Sequence, residues 1–114
     1  EQVIDYILAK HPNIKGCLST NEGSLLLALD GLERNAMNTV KVVGFDASEK
    51  EVQALSDGKV TGLIAQNPFG MGYATVVAAA RAALNMGNEA VVNTGYTWVT
   101  QEGLEEEAIQ KILY

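Results

Sequence analysis

Residues 42–49 read VVGFDASE. Val42, Val43 and Phe45 around Gly44 suit a buried β-strand, and the run then stops on a carboxylate, Asp46. Ser48, with Glu51 three residues later, is the pattern of a capping box that opens a helix. An unpaired carboxylate is costly to bury, so a dry strand ending on Asp46 asks for a partner or a purpose.

The pattern repeats on either side. IKGCLST (14–20) is a short strand followed by Asn21 and a leucine-rich helix from about residue 23 to 34. VTGLIA (60–65) is a third strand ending at Gln66, after which Asn67-Pro68 forms an N-cap with proline at the first helical position. Upstream, Val3, Ile4, Ile7 and Leu8 mark a helix over 2–10 that His11-Pro12-Asn13 breaks. A helix over 49–56 closes at the turn signal DGK. The alanine-rich helix after Pro68 is expected to reach Met86, with Gly87 capping it. AVVNTGYTWV (90–99) is extended and bent at Gly95. A last helix is expected near Thr100, with Glu102, Glu105, Glu106 and Glu107 toward its positive end and Lys111 in its last turn. Strands alternating with helices on short loops predict one α/β domain over 1–114, a three-layer α-β-α arrangement with a mostly parallel sheet covered on both faces.

The bulk numbers fit one domain. The chain has 114 residues, 47% hydrophobic and 19% charged, an ordinary globular composition. Eight basic residues against fourteen acidic give a net charge of −6, which argues against nucleic acid or an anionic membrane as the main partner. No apolar run reaches the roughly 18 residues of a membrane helix, and no signal peptide is expected in a chain that opens in mid-pattern with EQVIDYILAK. Cys17 stands alone, so neither an internal disulfide nor a cysteine metal cluster is available.

In open α/β sheets the carboxyl ends of the strands line the ligand crevice. Asn21, Asp46 and Gln66 would face it together if their strands are neighbours. Asp46 offers acceptors only, while Asn21 and Gln66 each offer donors and an acceptor, a set suited to adjacent hydroxyls of a neutral polyol. No nucleophile-base pair, second carboxylate acid or nearby histidine accompanies them, so the site reads as binding without catalysis, metal or cofactor. Helix capping is the competing role for Asn21 and Asp46; Gln is a poor cap.

GCLSTNE, VKVVGFDAS, ALSDGKVTGLIAQNPFGMGY and TGYTWVTQEG, in this order and spacing, resemble type I periplasmic sugar-binding proteins, the ribose-binding-like solute receptors of ABC importers. VVGFD followed by QNP and MGY is the specific part. The resemblance implies that Asn21, Asp46 and Gln66 hydrogen-bond a monosaccharide. It further implies an ABC permease as partner and a periplasmic or extracellular location, with lipid or membrane association in the parent. Such receptors have two lobes, and the likeness covers only about the last 40%, implying a C-terminal fragment. The sequence departs from the family after Asn21: Glu22, Gly23 and Ser24 come next, and Leu25 and Leu27 stand where Ala and Gly are usual. That helix is therefore expected to pack differently or to sit farther from its sheet.

Two other functions compete. The effector-sensing domain of a LacI-type regulator shares the fold and the GFD strand, although ALSDGKVTGLIAQNP has the transporter form. A small α/β enzyme or nucleotide-binding module lacks support, because GMG (70–72) has neither the third glycine nor the lysine of a phosphate loop. His11 reads as a surface turn residue, Cys17 as core, Trp98 as core or hinge packing ahead of sugar stacking, and 105–107 as a solvated helix start. The apolar stripe of the helix after Pro68 predicts a homodimer.

Overall fold

The computed structural model describes residues 2–113. In chain order the elements are α1 (Gln2–Lys10), β1 (Gly16–Leu18), α2 (Glu22–Arg34), β2 (Lys41–Phe45), α3 (Glu49–Ser56), β3 (Gly62–Gln66), α4 (Pro68–Ala83), β4 (Tyr96–Val99) and α5 (Glu107–Gln110). The sheet order is β1-β2-β3-β4. The first two pairings are parallel and the last is antiparallel, so the α/β class with a mostly parallel sheet is as expected.

Local signals set the helix ends. Asn21 Oδ1 accepts from the Ser24 N–H at 2.9 Å, Ser48 and Glu51 form a reciprocal capping box, and Asn67 Oδ1 accepts from the Gly70 N–H at 2.9 Å. Helices α2, α3 and α4 close alike, each with a residue of positive φ just past the cap: Ala36, Gly58 and Asn85. In each, the following N–H reaches the carbonyl five residues back, as in Met37 to Leu32, Lys59 to Ala54 and Met86 to Arg81, the Schellman pattern. Helix α4 accordingly ends at Ala83, because Asn85 takes the left-handed conformation (φ 52°) ahead of Gly87. Only 96–99 of the extended stretch is strand, with Gly95 (φ 77°) at the bend. The last helix shrinks to one turn: 101–105 form turns around Gly103, a poor helix former, so Glu102, Glu105 and Glu106 precede α5, and Lys111 pairs with Glu107 at 2.6 Å.

Register divides the sheet into two unlike faces. Val42, Leu63, Ala65 and Val99 point to one core with Leu8, Leu25, Leu32, Ala54 and Leu55 from the helices. Residues one step out of phase, Leu18, Val43, Phe45, Ile64 and Trp98, point the other way, and Leu18 and Trp98 are 61% and 47% exposed. Right-handed crossovers between parallel strands laid down in one direction, β1 to β2 to β3, put α2 and α3 on the same side, and α1 packs on α2 through Ile4 against Gly31. The helical layer for the opposite face of a three-layer fold is thus not among the described residues. Helix α4 buries none of its residues and projects from the rest. The radius of gyration is 17.7 Å, against about 13 Å for a compact chain of this length.

The substitution of leucines into α2 is accommodated. Leu25 is fully buried over Gly44, where a Cβ would come within 2.8 Å of Leu25 and 2.6 Å of Leu63. The missing side chain in β2 makes the room that small residues in the helix would otherwise provide. Leu27 points outward and is exposed.

Candidate functional site

Because β1, β2 and β3 are adjacent and parallel, the three polar residues at or just beyond their carboxyl ends lie along one sheet edge. Asp46 and Gln66 meet: Gln66 Nε2 donates to Asp46 Oδ1 at 2.5 Å. The Asp46 backbone carries φ 99° while its N–H donates to Ile64 O at 3.0 Å. The main chain thus continues the sheet bonding for one residue past β2 while turning sharply enough to aim the carboxylate at the neighbouring strand. A non-glycine residue in that region is strained, and such strain gathers at ligand sites.

Asn21 ends the neighbouring strand connection in extended backbone, its side-chain oxygen on the α2 cap. Two hydroxyls hold it: Ser19 Oγ and Ser24 Oγ donate to the Asn21 carbonyl at 3.2 and 3.0 Å. The capping role weighed for Asn21 is therefore occupied by its Oδ1. On the far side, Asn67 donates through Nδ2 to Thr94 O at 2.9 Å, tying the start of α4 to the loop before β4. That loop delivers Tyr96 opposite Gln66, exposed at the same edge. Neither Tyr96 nor the serine clamp is readable in advance. The antiparallel return of β4 brings the tyrosine there, and a hydroxyl pair on a backbone carbonyl has no sequence signature beyond ST and S in passing. An open groove of about 820 Å³ lies beside this edge, between α4 and residues 87–94, walled by Tyr73, Val77 and Val92 with Arg81 and Asn88.

Electrostatics mark Glu51. It is fully buried at the base of the edge, and burial pushes its carboxyl up from the usual glutamate range, against the pull of its bonds to Ser48; the charges of Asp46 and Glu22 push the same way. Burial also raises the Cys17 thiol, leaving it a packing residue beside the core. Trp98 lays its indole over Gly62, where a Cβ would fall 2.2 Å from the ring. No three His, Cys, Asp or Glu side chains among the described residues are grouped to hold a metal ion. No helix of the described residues is long and apolar enough to cross a membrane.

A mostly parallel α/β sheet with Asn21, Asp46 and Gln66 at the carboxyl ends of its strands has its polar groups where open α/β sheets bind ligands. The family described as "Periplasmic binding protein domain" matches residues 1–89, and the chain belongs to that family. It is 34% identical over 70 residues to the ribose import binding protein RbsB of Escherichia coli K12, covering 61% of this chain and 24% of that protein. Among solved structures, an ABC transporter solute-binding protein from Agrobacterium vitis, bound with α-D-tagatopyranose, superposes with a TM-score of 0.86 at 26% identity, covering 99% of this chain and 38% of that one. A carbohydrate transporter solute-binding protein from Agrobacterium radiobacter, in complex with D-arabinose, gives 0.82 at 26% identity, covering 99% and 39%. The fold is that of half a type I periplasmic binding protein. The chain spans about a quarter of its curated relative and under two-fifths of these solved ones.

Proposed function

We propose that this chain is the C-terminal part of the sugar-binding component of an ABC importer, and that Asn21, Asp46 and Gln66 hydrogen-bond a monosaccharide from one side. The observation that carries the reading is the Asp46–Gln66 pair at the carboxyl edge of two adjacent parallel strands. An acceptor-only group beside an amide that both donates and accepts matches vicinal hydroxyls, each of which does both. A ribose import binding protein and two transporter solute-binding proteins solved with monosaccharides support the sugar class. They favour the receptor over the LacI-type regulator. The family is one of binding proteins; this chain recognises without catalysis and works without a cofactor.

The finer parts of the reading follow from the same assignment. The parent acts in the periplasm or outside the cell, held at the membrane, and hands its sugar to a permease. The 114-residue chain alone holds only one side of a sugar, so it binds none with useful affinity and associates as a homodimer. The test is calorimetric titration of ribose, arabinose and tagatose into a two-lobed receptor carrying this chain, with D46N alongside. Charge-assisted hydrogen bonds are worth about 1.5–3 kcal/mol each, so D46N should weaken the preferred sugar at least tenfold. Equal affinities for wild type and D46N would overturn the site.

A further inference from the structure

Glu51 is a buried carboxyl that sugar recognition does not use. Its Oε2 accepts from the Ser48 N–H at 3.0 Å, while the Ser48 hydroxyl accepts from the Glu51 N–H at 3.4 Å. Its other oxygen, Oε1, is buried with no hydrogen-bond partner. A surface capping box leaves that second oxygen in water; here it is sealed, and a sealed ionised oxygen without a donor is costly.

The segment that this carboxyl holds is the one that matters at the edge. Only Asp46, Ala47 and Ser48 separate β2 from α3. Ala47 is fully buried, so the turn has no slack in its middle. It is pinned at one end by Asp46 N–H on Ile64 O, and at the other by Ser48 N–H on Glu51. Between those pins Asp46 keeps its positive φ and reaches Gln66. Removing the second pin would let the strained residue relax. The charged groups facing Glu51 are Asp46 at the end of β2 and Glu22 at the start of α2. Lys50, next to Glu51 in α3, pairs with Glu22 at 3.5 Å. Both facing charges are negative, so ionising Glu51 places a third beside them.

We propose that Glu51 is a positioning residue of the binding edge: through Ser48 its buried carboxyl fixes the turn that presents Asp46, and a proton on that carboxyl tightens the hold of Asp46 on Gln66. The neutral acid still accepts from Ser48 N–H through its carbonyl oxygen and carries the proton on the oxygen that lacks a donor. The ionised acid keeps the cap but repels the Asp46 carboxylate. The importance of this for ligand binding rests on the sugar-site reading above; the coupling between Glu51 and the Asp46–Gln66 pair does not.

The test follows the Gln66 side-chain amide and the Asp46 backbone amide by NMR in the 114-residue chain, without sugar, across pH 4 to 8. Both resonances should show an inflexion above the ordinary glutamate range. It should shrink in D46N, which removes the carboxylate that ionised Glu51 repels, and vanish in E51Q, which keeps an oxygen for Ser48 N–H. E51A should lose the Asp46–Gln66 bond, seen as fast exchange of the Gln66 side-chain amide protons, with E51Q restoring their protection. An inflexion that persists in E51Q, or its absence in folded wild type, would overturn the proposal; should E51A not fold, the E51Q comparison still decides. Coupling seen here while D46N leaves sugar affinity unchanged would condemn the site reading alone. Loss of affinity in D46N with no coupling would condemn the Glu51 role alone.

Discussion

Gln66 donates its side-chain amide to the Asp46 carboxylate across twenty residues of sequence and one step of the sheet. Each occupies hydrogen-bonding capacity of the other, so a bound hydroxyl would have to compete with an existing pair. The Asp46 backbone is the strained partner, at φ 99°. Glycine adopts such angles freely, whereas alanine does not. D46G should therefore be at least as stable as wild type, and D46A less stable than D46G by about 1 kcal/mol, measured by urea unfolding. D46A mixes backbone strain with loss of the carboxylate, which is why D46N is the cleaner probe of affinity. Equal stability of D46A and D46G would show that the turn relaxes without cost.

Gly44 is where the leucine-rich α2 meets the sheet. A Cβ there would stand 2.6 Å from Leu63 and 2.8 Å from Leu25, both fully buried. Overpacking of this kind costs about 1–3 kcal/mol, so G44A should lose stability in that range. Shortening the helix residue makes room, and the double variant G44A/L25V should recover part of the loss. A double variant worse than the sum of its parts would mean that Leu25 and Gly44 are not complementary.

The parts of this fold readable from sequence are those decided within a few residues. Asn21, Ser48 with Glu51, and Asn67-Pro68 announce helix starts because each side chain bonds a backbone group three positions on. The Asp46, Gln66 and Asn21 endings were legible because β1, β2 and β3 run parallel in sequence order. Pairing partners were less legible: nothing in TGYTWV says that 96–99 returns antiparallel and sets Tyr96 opposite Gln66. The same holds for Gly87, displaced as helix terminator by Asn85, since both residues tolerate a positive φ. Strand runs such as VVGF and GLIA read as buried on both faces, and sequence does not say what covers the second. The capping box was visible at Ser48 and Glu51; that it lies in a dry interior beside Asp46 was not.

Trp98 is the chain's single tryptophan, and it covers Gly62 on the open sheet face. With a Cβ at Gly62 the ring atoms would sit 2.2 and 2.3 Å away, so G62A must expel the indole. The emission of G62A should shift to the red and its quenching by iodide should rise, while the strand pairing of β3 with β4 persists. Unchanged fluorescence would place the indole elsewhere than over Gly62.

Glu51 also gives stability a pH dependence of definite sign. Its carboxyl is raised in the folded chain, chiefly by burial, above the ordinary 4.5. The folded state therefore holds this proton more tightly than the unfolded chain does, and its contribution is complete below the unfolded value and lost as pH rises through the folded one. Between about pH 4.5 and neutrality the wild type should lose stability relative to E51Q, which has no proton to release. The Asp5 carboxylate, lowered by its bonds to Arg34 and Asn35, acts in the opposite sense at lower pH and is common to both proteins. Parallel urea midpoints for wild type and E51Q across that range would refute the assignment.

Assembly is the remaining consequence. The chain exposes 7845 Å², whereas a folded monomer of 12.2 kDa is expected to expose about 6,100 Å². The excess is about twice the roughly 800 Å² that each partner contributes to a standard interface. Large apolar side chains are open on α4 and its C-cap, where Phe69 is 84% exposed and Tyr73, Val76 and Leu84 are also exposed, and on the sheet face around Leu18 and Trp98. Patches of this kind are unusual in soluble monomers. The link between α4 and the body is slight: Asn67 bonds Thr94 at its first turn, and none of its residues is buried. Two copies can cover these surfaces by packing α4 against the partner's open sheet face, or by exchanging the segment after Gln66 about the bend at Gly95. Light scattering at tens of micromolar should give twice 12.2 kDa, and charged substitutions such as V76E and F69E should return the chain to a monomer without loss of its helical signal. A wild-type monomer at that concentration would mean that α4 folds back over the sheet in solution and that the excess surface is not an interface between copies.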